Sequence, residues 1–250
     1  MLYFKKLRNY INKTYNSNIK NKCGCDNEIS REIWLKLELK NIPNGLRILD
    51  AGAGELQYKK YCSHLDYVSQ DFAQYDGTGN NSGLHTKTWD NSKLDIISDI
   101  NNIPLSDKSV DAIMCIEVFE HLPEPIRAIQ EFSRLLKLDG ILLLTAPFCS
   151  LTHFAPYHYY SGFNKYFYEK HLKENGFAIE EIVHNGNYFE YIAQEIRRIP
   201  DIGLKYTGYN HSELHSSINS ILGHLHKMSE TDIKSSELLC FGYHIKARRI

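Results

Sequence analysis

Apolar and polar positions alternate along this chain between short apolar runs and longer segments of helical spacing. Leu46, Ile48 and Leu49 run into Asp50, and Tyr67-Val68-Ser69-Gln70-Asp71 is a second run ending in an acid. Residues 94–100 predict a short third strand with Asp99 near its end. Residues 109–117 are apolar, partly β-branched and flanked by acids, the pattern of a strand buried on both faces. Further strands are predicted over 141–147, 177–183 and 237–249. Helices are predicted over 29–39, 125–137, 165–174 and 212–228, with Asp139-Gly140 as a turn and Asn175-Gly176 as a helix stop. Strands alternating with helices predict an α/β fold.

Two segments depart from that alternation. Residues 188–235 form a long insertion between the sixth and seventh strands, in which Leu214, Ile218, Ile221, Leu222 and Leu225 repeat at helical spacing. Burying all five is worth at most about 7–15 kcal/mol, against the protein's own sheet and acceptor site or the same helix of a second subunit in a homodimer. The start of the chain carries Lys5, Lys6, Arg8, Lys13, Lys20 and Lys22 before its first acid, with Tyr3, Phe4, Leu7, Tyr10 and Ile11 on one helical face. We read residues 1–43 as a helical lid over the cleft; a contact with an anionic membrane surface or a partner is the alternative.

Composition adds limits. The chain has 250 residues, 42% of them hydrophobic, and a net charge of −1. It can bury one good core, and nucleic acid is a poor substrate candidate. No apolar stretch approaches a membrane span and no secretory leader opens the chain, so stable membrane insertion is not expected and a cytoplasmic location is. The six cysteines are scattered without a C-x-x-C pair, which predicts reduced thiols.

Chemistry enters at Asp50-Ala51-Gly52-Ala53-Gly54. A strand-to-helix turn with two glycines lets a ligand lie against bare backbone. A dinucleotide fold would need glycine or alanine where Gln57 stands, and Asp50 would repel its pyrophosphate. An acid suits a cationic ligand instead. Asp71, at the next strand end, can accept from both hydroxyls of a ribose, and Phe72 can stack on a base.

Together with Val118-Phe119-Glu120-His121-Leu122-Pro123 after the fourth strand, these motifs resemble class I S-adenosylmethionine (SAM)-dependent methyltransferases. Residues 44–182 are most similar to bacterial proteins of the Methyltransf_11 type. The resemblance implies a Rossmann-like, seven-stranded, mostly parallel sheet with an antiparallel last strand and helices on both faces, so that 44–250 is the methyltransferase domain. It implies that SAM is the cofactor and S-adenosylhomocysteine the product. It places Asp50, Gly52, Gly54, Asp71, Phe72, Asp99, Ile100, Ile116 and Glu117 in the cofactor set, with Asp99 accepting from the adenine amino group and the backbone after it touching the ring.

The acceptor half begins after the fifth strand. Residues 148–160 are dense in His and Tyr, which suits a sugar or other polyol; a packed aromatic cover is the plainer reading. An alcohol acceptor needs a base, and His121, His153 and His158 are rival candidates, His121 having the alternative of orienting the loop. His211, His215, His224 and His226 read as surface residues. No metal triad is evident, so no metal ion is expected. Bacterial relatives among surface-polysaccharide genes suggest a small sugar hydroxyl or amine as acceptor. A quinone or lipid-borne phenol, or a SAM-binding partner without catalysis, are the alternatives.

Overall fold

The structure, a computed structural model, describes residues 22–209 and 213–250. Most of the basic start of the chain, residues 1–21, and His211 lie outside the described residues. Helix α1 (Asn27–Lys40) leads to β1 (Arg47–Ala51), β2 (Asp66–Asp71), β3 (Ile96–Ile97) and β4 (Val110–Ile116). Then come α2 (Pro125–Leu135), β5 (Leu136–Pro147), α3 (Lys165–Glu174), β6 (Phe177–Asn185), α4 (Tyr188–Thr207), α5 (Leu214–Glu230) and β7 (Gly242–Arg249). Short 3-10 turns stand at Lys59–Tyr61, Phe119–His121 and Ser235–Glu237.

The strands form one sheet in the order β3-β2-β1-β4-β5-β7-β6. β1 runs parallel to β2 and β4, β2 to β3 and β4 to β5, while β7 is antiparallel to β5. This is the Rossmann-like sheet the sequence predicts. Ile113, Met114 and Cys115 in β4 and Leu142, Leu143 and Leu144 in β5 are wholly buried, as central strands require. The order reverses around β1 and β4, so their carboxyl ends open onto the crevice where such sheets bind ligands.

Boundaries differ from the sequence expectation where side chains replace backbone partners. The third strand shrinks to Ile96–Ile97 because Asp95 accepts from Ser69 N at 2.9 Å and Ser69 Oγ at 2.7 Å, while Gln70 Nε2 donates to Ser98 O at 2.7 Å. Polar side chains thereby close the ladder on both sides of an edge strand. The expected turn at Asp139-Gly140 lies within β5, beside a register shift against β4. Asp139 has φ +62° there, so the chain bulges without leaving the sheet. Residues 237–241 precede β7 instead of opening it, since 235–237 close a 3-10 turn. Helix α3 starts and stops where expected, because Asn164 accepts from Tyr166 N and Phe167 N at 3.1 and 3.2 Å.

Contacts divide the described chain into two compact units, 22–33 with 184–241 and 34–183 with 242–250. The first contains α4 and α5. Asn187 caps α4 by accepting from Glu190 N, and Gly208, at φ +67°, ends it. The α5 stripe is only partly covered. Leu222 is buried with Cys23 and Ala193, and Ile196, Ile218 and Leu225 pack around them, whereas Ile221 stays 46% exposed. The five-residue burial expected of that stripe is therefore too large. No helix among the described residues is long and apolar enough to cross a membrane.

Leu222→Ala should loosen this unit by about 2–5 kcal/mol, whereas Ile221→Ala should change it by less than about 0.5 kcal/mol. Hydrogen exchange over residues 188–230 reads the difference; equal effects would mean that the stripe is not the unit's core.

Candidate active site

All the residues assembled here belong to the unit of 34–183 and 242–250. β1 ends at Ala51, and the turn that follows hangs on the end of β2. Gly52 N and Ala53 N both donate to Gln70 O, at 2.8 and 2.9 Å. Gly52 has φ +81°, and a Cβ on it would lie 2.5 Å from Val118 Cγ2. A Cβ on Gly54, at φ +49°, would lie 2.6 Å from Trp89 Cζ2. Both positions therefore need glycine twice over, for backbone shape and for closeness. Gly54 N donates to Asp71 Oδ2 and Ala73 N to Asp71 Oδ1, each at 2.9 Å. The acid predicted to meet a ribose thus also orders the glycine turn.

Asp50 is buried at the floor and accepts from the Tyr67 hydroxyl at 2.6 Å. Burial pushes its carboxyl up to about 7, the Tyr67 hydrogen bond opposes that rise, and nearby Asp71 adds to it. Cys62 is pushed up to about 12 by burial and by Asp50, and burial with the Asp50 charge also raises Tyr67. A cationic ligand group suits this floor; a phosphate would worsen it.

The remaining predicted cofactor residues sit at neighbouring strand ends. Phe72 meets Tyr157 edge-on with ring centroids 5.0 Å apart. Asp99 is exposed and accepts from Asn101 N at 2.8 Å, while Ile100 is buried. Ile116 closes β4 and is buried. Glu117 follows with φ +57°, an uncommon conformation for a residue other than glycine. Two bonds to one residue of β5 hold it there. Its N–H donates to Thr145 O at 2.9 Å, and its carboxylate accepts from Thr145 Oγ1 at 2.8 Å.

The three histidines proposed as bases come together. Ring centroids of His121 and His153 are 4.7 Å apart, His153 and His158 4.7 Å, and His121 and His158 6.0 Å. His121 Nδ1 lies 2.6 Å from Tyr157 O, and His153 Nδ1 2.8 Å from Leu151 O. A carbonyl only accepts, so both Nδ1 atoms carry the proton and each neutral ring keeps its lone pair on Nε2. Burial and then His153 bring the His121 pKa down to about 3, and the same two causes lower that of His158. Both rings are neutral at pH 7. Ser150 Oγ donates to Ser161 O at 3.0 Å and lies 3.1 Å from His158 Nε2, which therefore carries the N–H.

Sequence reasoning missed two parts of this arrangement. Glu120, a residue of the post-strand motif without an assigned role, is 1% exposed, and its Oε1 lies 3.7 Å from His121 Nε2 and 3.8 Å from His153 Nε2. An aromatic wall of Tyr75, Trp89 and Phe154 joins the glycine turn to the histidines. Phe154 stacks on Tyr75 at 4.4 Å and on His121 at 5.2 Å, and Trp89 meets it edge-on at 5.3 Å. No periodicity marks these loop residues; only the type of Trp89 could have drawn notice. A backbone bridge fixes the two loops, with Leu84 N donating to Thr152 O and Phe154 N to Leu84 O, both at 3.0 Å.

Comparisons with known proteins bear on the domain and its fold. Residues 49–144 match the family model described as a methyltransferase domain. A search of curated proteins finds no match. Among solved structures the chain is similar to the [4+2]-cyclase SpnF, at 15% identity and TM-score 0.56, covering 98% of this chain and 92% of that one. It is also similar to a SAM-dependent methyltransferase from Archaeoglobus fulgidus, at 15% identity and TM-score 0.52, over 87% and 94% of the two chains. Phosphoethanolamine N-methyltransferase 2 of Haemonchus contortus matches at 15% identity and TM-score 0.50, over 97% and 59%. The match over residues 49–144 is to a methyltransferase domain, and the sheet order and glycine turn support its reading as a SAM-dependent methyltransferase of class I fold.

The buried acid has a pH signature. Burial holds the folded Asp50 carboxyl at about 7, well above the ordinary carboxylate value. Its contribution to stability is complete below about 4 and is lost as pH rises through about 7. Three units correspond to about 4 kcal/mol. Asp50→Asn should remove this dependence, so unfolding in urea at pH 5 and pH 8 should show the wild type losing stability relative to the variant. Parallel profiles would refute it.

Proposed function

We propose that the chain methylates a hydroxyl of a small polar acceptor, a sugar or sugar conjugate of surface-polysaccharide synthesis, in a cytoplasmic setting. The observation that carries this reading is the convergence of His121, His153 and His158 beside the glycine turn. An amine acceptor once deprotonated would need no such cluster.

The residues present fit SAM. Gly52 and Gly54 leave bare backbone, Asp71 lies against that backbone with acceptor oxygens for a ribose, Phe72 offers a ring to the adenine, and Asp50 provides a floor favourable to cationic groups. Asp99, Ile100, Ile116 and Glu117 complete the rim from the next two strand ends. When bound, the cofactor supplies an electrophilic methyl group. The protein's part is to align an acceptor oxygen, which accounts for about 7–11 kcal/mol of a barrier in well-oriented systems, and to receive its proton. His158 is assigned that proton, with the His121 and His153 rings beside it. The Tyr75–Trp89–Phe154 wall supplies flat apolar surface for a polyol face.

Methyl-labelled SAM supplied with small acidic extract compounds should label a phosphorylated or nucleotide-linked sugar. Label in the organic phase would instead favour a lipid-borne phenol, and none anywhere, with SAM bound, a non-catalytic role. Asp71→Ala should weaken SAM binding more than about tenfold, because the buried Gly54 N–H and the part-buried Ala73 N–H lose their acceptor, at about 1–3 kcal/mol for a buried donor. Unchanged affinity would remove Asp71 from the site. His158→Ala should slow turnover by about 10²–10⁴ while SAM binds normally; an unaltered kcat would exclude it as the proton acceptor.

A further inference from the structure

We propose that Glu120, His121 and His153 form a binding site for a divalent transition-metal ion. One ligand atom from each lies within 4.8 Å of the other two. Sequence alone hides this set, because Glu120 and His121 follow β4 whereas His153 arrives on the loop after β5.

The argument rests on how the rings are held. Each Nδ1–H is anchored on a backbone carbonyl, Tyr157 O for His121 and Leu151 O for His153. That leaves the Nε2 lone pairs on the side of the rings nearest Glu120 Oε1, 3.7 and 3.8 Å away. Imidazoles that ligate metal through one nitrogen characteristically give the other N–H to a carbonyl or carboxylate, which fixes tautomer and orientation. Tetrahedral ligands at bonds of about 2.0–2.2 Å lie about 3.4 Å apart, so the two carboxylate–imidazole gaps close with shifts of a few tenths of an ångström. Two imidazoles and one carboxylate suit Zn²⁺, Mn²⁺ or Fe²⁺ and leave coordination positions open.

What the ion would do rests on the reading of this site as acting on an acceptor hydroxyl. An open position takes the acceptor oxygen and makes its proton more acidic. As the O–CH₃ bond forms, the S–CH₃ bond breaks with its electron pair left on sulfur, and the hydroxyl proton passes to His158 or water.

The test uses full-length, tag-free protein, stripped with a chelator and titrated with Co²⁺ alone, followed by visible absorption. One Co²⁺ per chain with d–d bands is expected, displaced by Zn²⁺. His153→Ala removes a ligand from a half-exposed loop position, and Glu120→Gln keeps the shape of the buried one. Each should weaken Co²⁺ by more than about tenfold, with circular dichroism unchanged, whereas His224→Ala, on an exposed helix position, should leave it unaltered. Absence of stoichiometric binding, or wild-type affinity in both folded ligand variants, overturns the proposal. SAM affinity and methyl transfer on the same samples separate the two claims. SAM binding without cobalt binding defeats the metal site alone, and cobalt binding with no hydroxyl methylated defeats the acceptor reading alone.

Discussion

Asp71 holds the glycine turn in place by accepting from Gly54 N and Ala73 N. Buried backbone donors without a partner cost about 1–3 kcal/mol each, so the turn and the carboxylate fix one another. The rest of the site hangs from that junction. Gly52, held by Gln70 O, lies against Val118, and Val118 begins the segment that carries Glu120 and His121. Trp89 rests on Gly54 and meets Phe154, which stacks on His121. A single packed path therefore connects cofactor turn and histidine cluster.

Electrostatics at the strand ends give that path a polarity. Asp50, Asp71, Glu117 and Glu120 all stand at or just after the carboxyl ends of β1, β2 and β4, and the buried thiols of Cys62 and Cys115 are pushed further from ionisation by burial and these acids. The floor beside the glycine turn is poor ground for a phosphate and good ground for positive charge. This explains why a Rossmann-like sheet with a glycine turn need not bind a dinucleotide. The acid before the glycines and the lack of a third small residue select the ligand class before any loop is considered.

Much of this was legible in the sequence for a physical reason. Central strands must be apolar on both faces, so β4 and β5 read clearly, and acids at strand ends interrupt those runs visibly. The glycine turn could be recognised because backbone shape restricts it to one residue type. What could not be read depends on tertiary approach. Nothing local places His153 beside Glu120; the Leu84–His153 bridge does, and it joins two irregular loops. The shortening of β3 depends on Asp95 and Ser69 finding each other across strands. Helical spacing in α5 gave the element but overstated its burial, because amphipathicity says which face is apolar and not how much of it a neighbour covers.

Fold alone does not decide the chemistry here. The same architecture is shared with a protein described as a [4+2]-cyclase, with one described as a phosphoethanolamine N-methyltransferase and with one described only as a SAM-dependent methyltransferase. Discrimination has to come from side chains outside the cofactor turn. In this chain those are a buried carboxylate, three rings whose tautomers are fixed by carbonyl and hydroxyl partners, and an aromatic wall. Three imidazoles would be redundant as bases, since one proton leaves per turnover. Two of them, with Nδ1 tied back and Nε2 turned to a common carboxylate, have the geometry of ligands, which leaves the third for the proton. On the proposed reading, that division of labour gives each histidine its own use in methyl transfer to an alcohol.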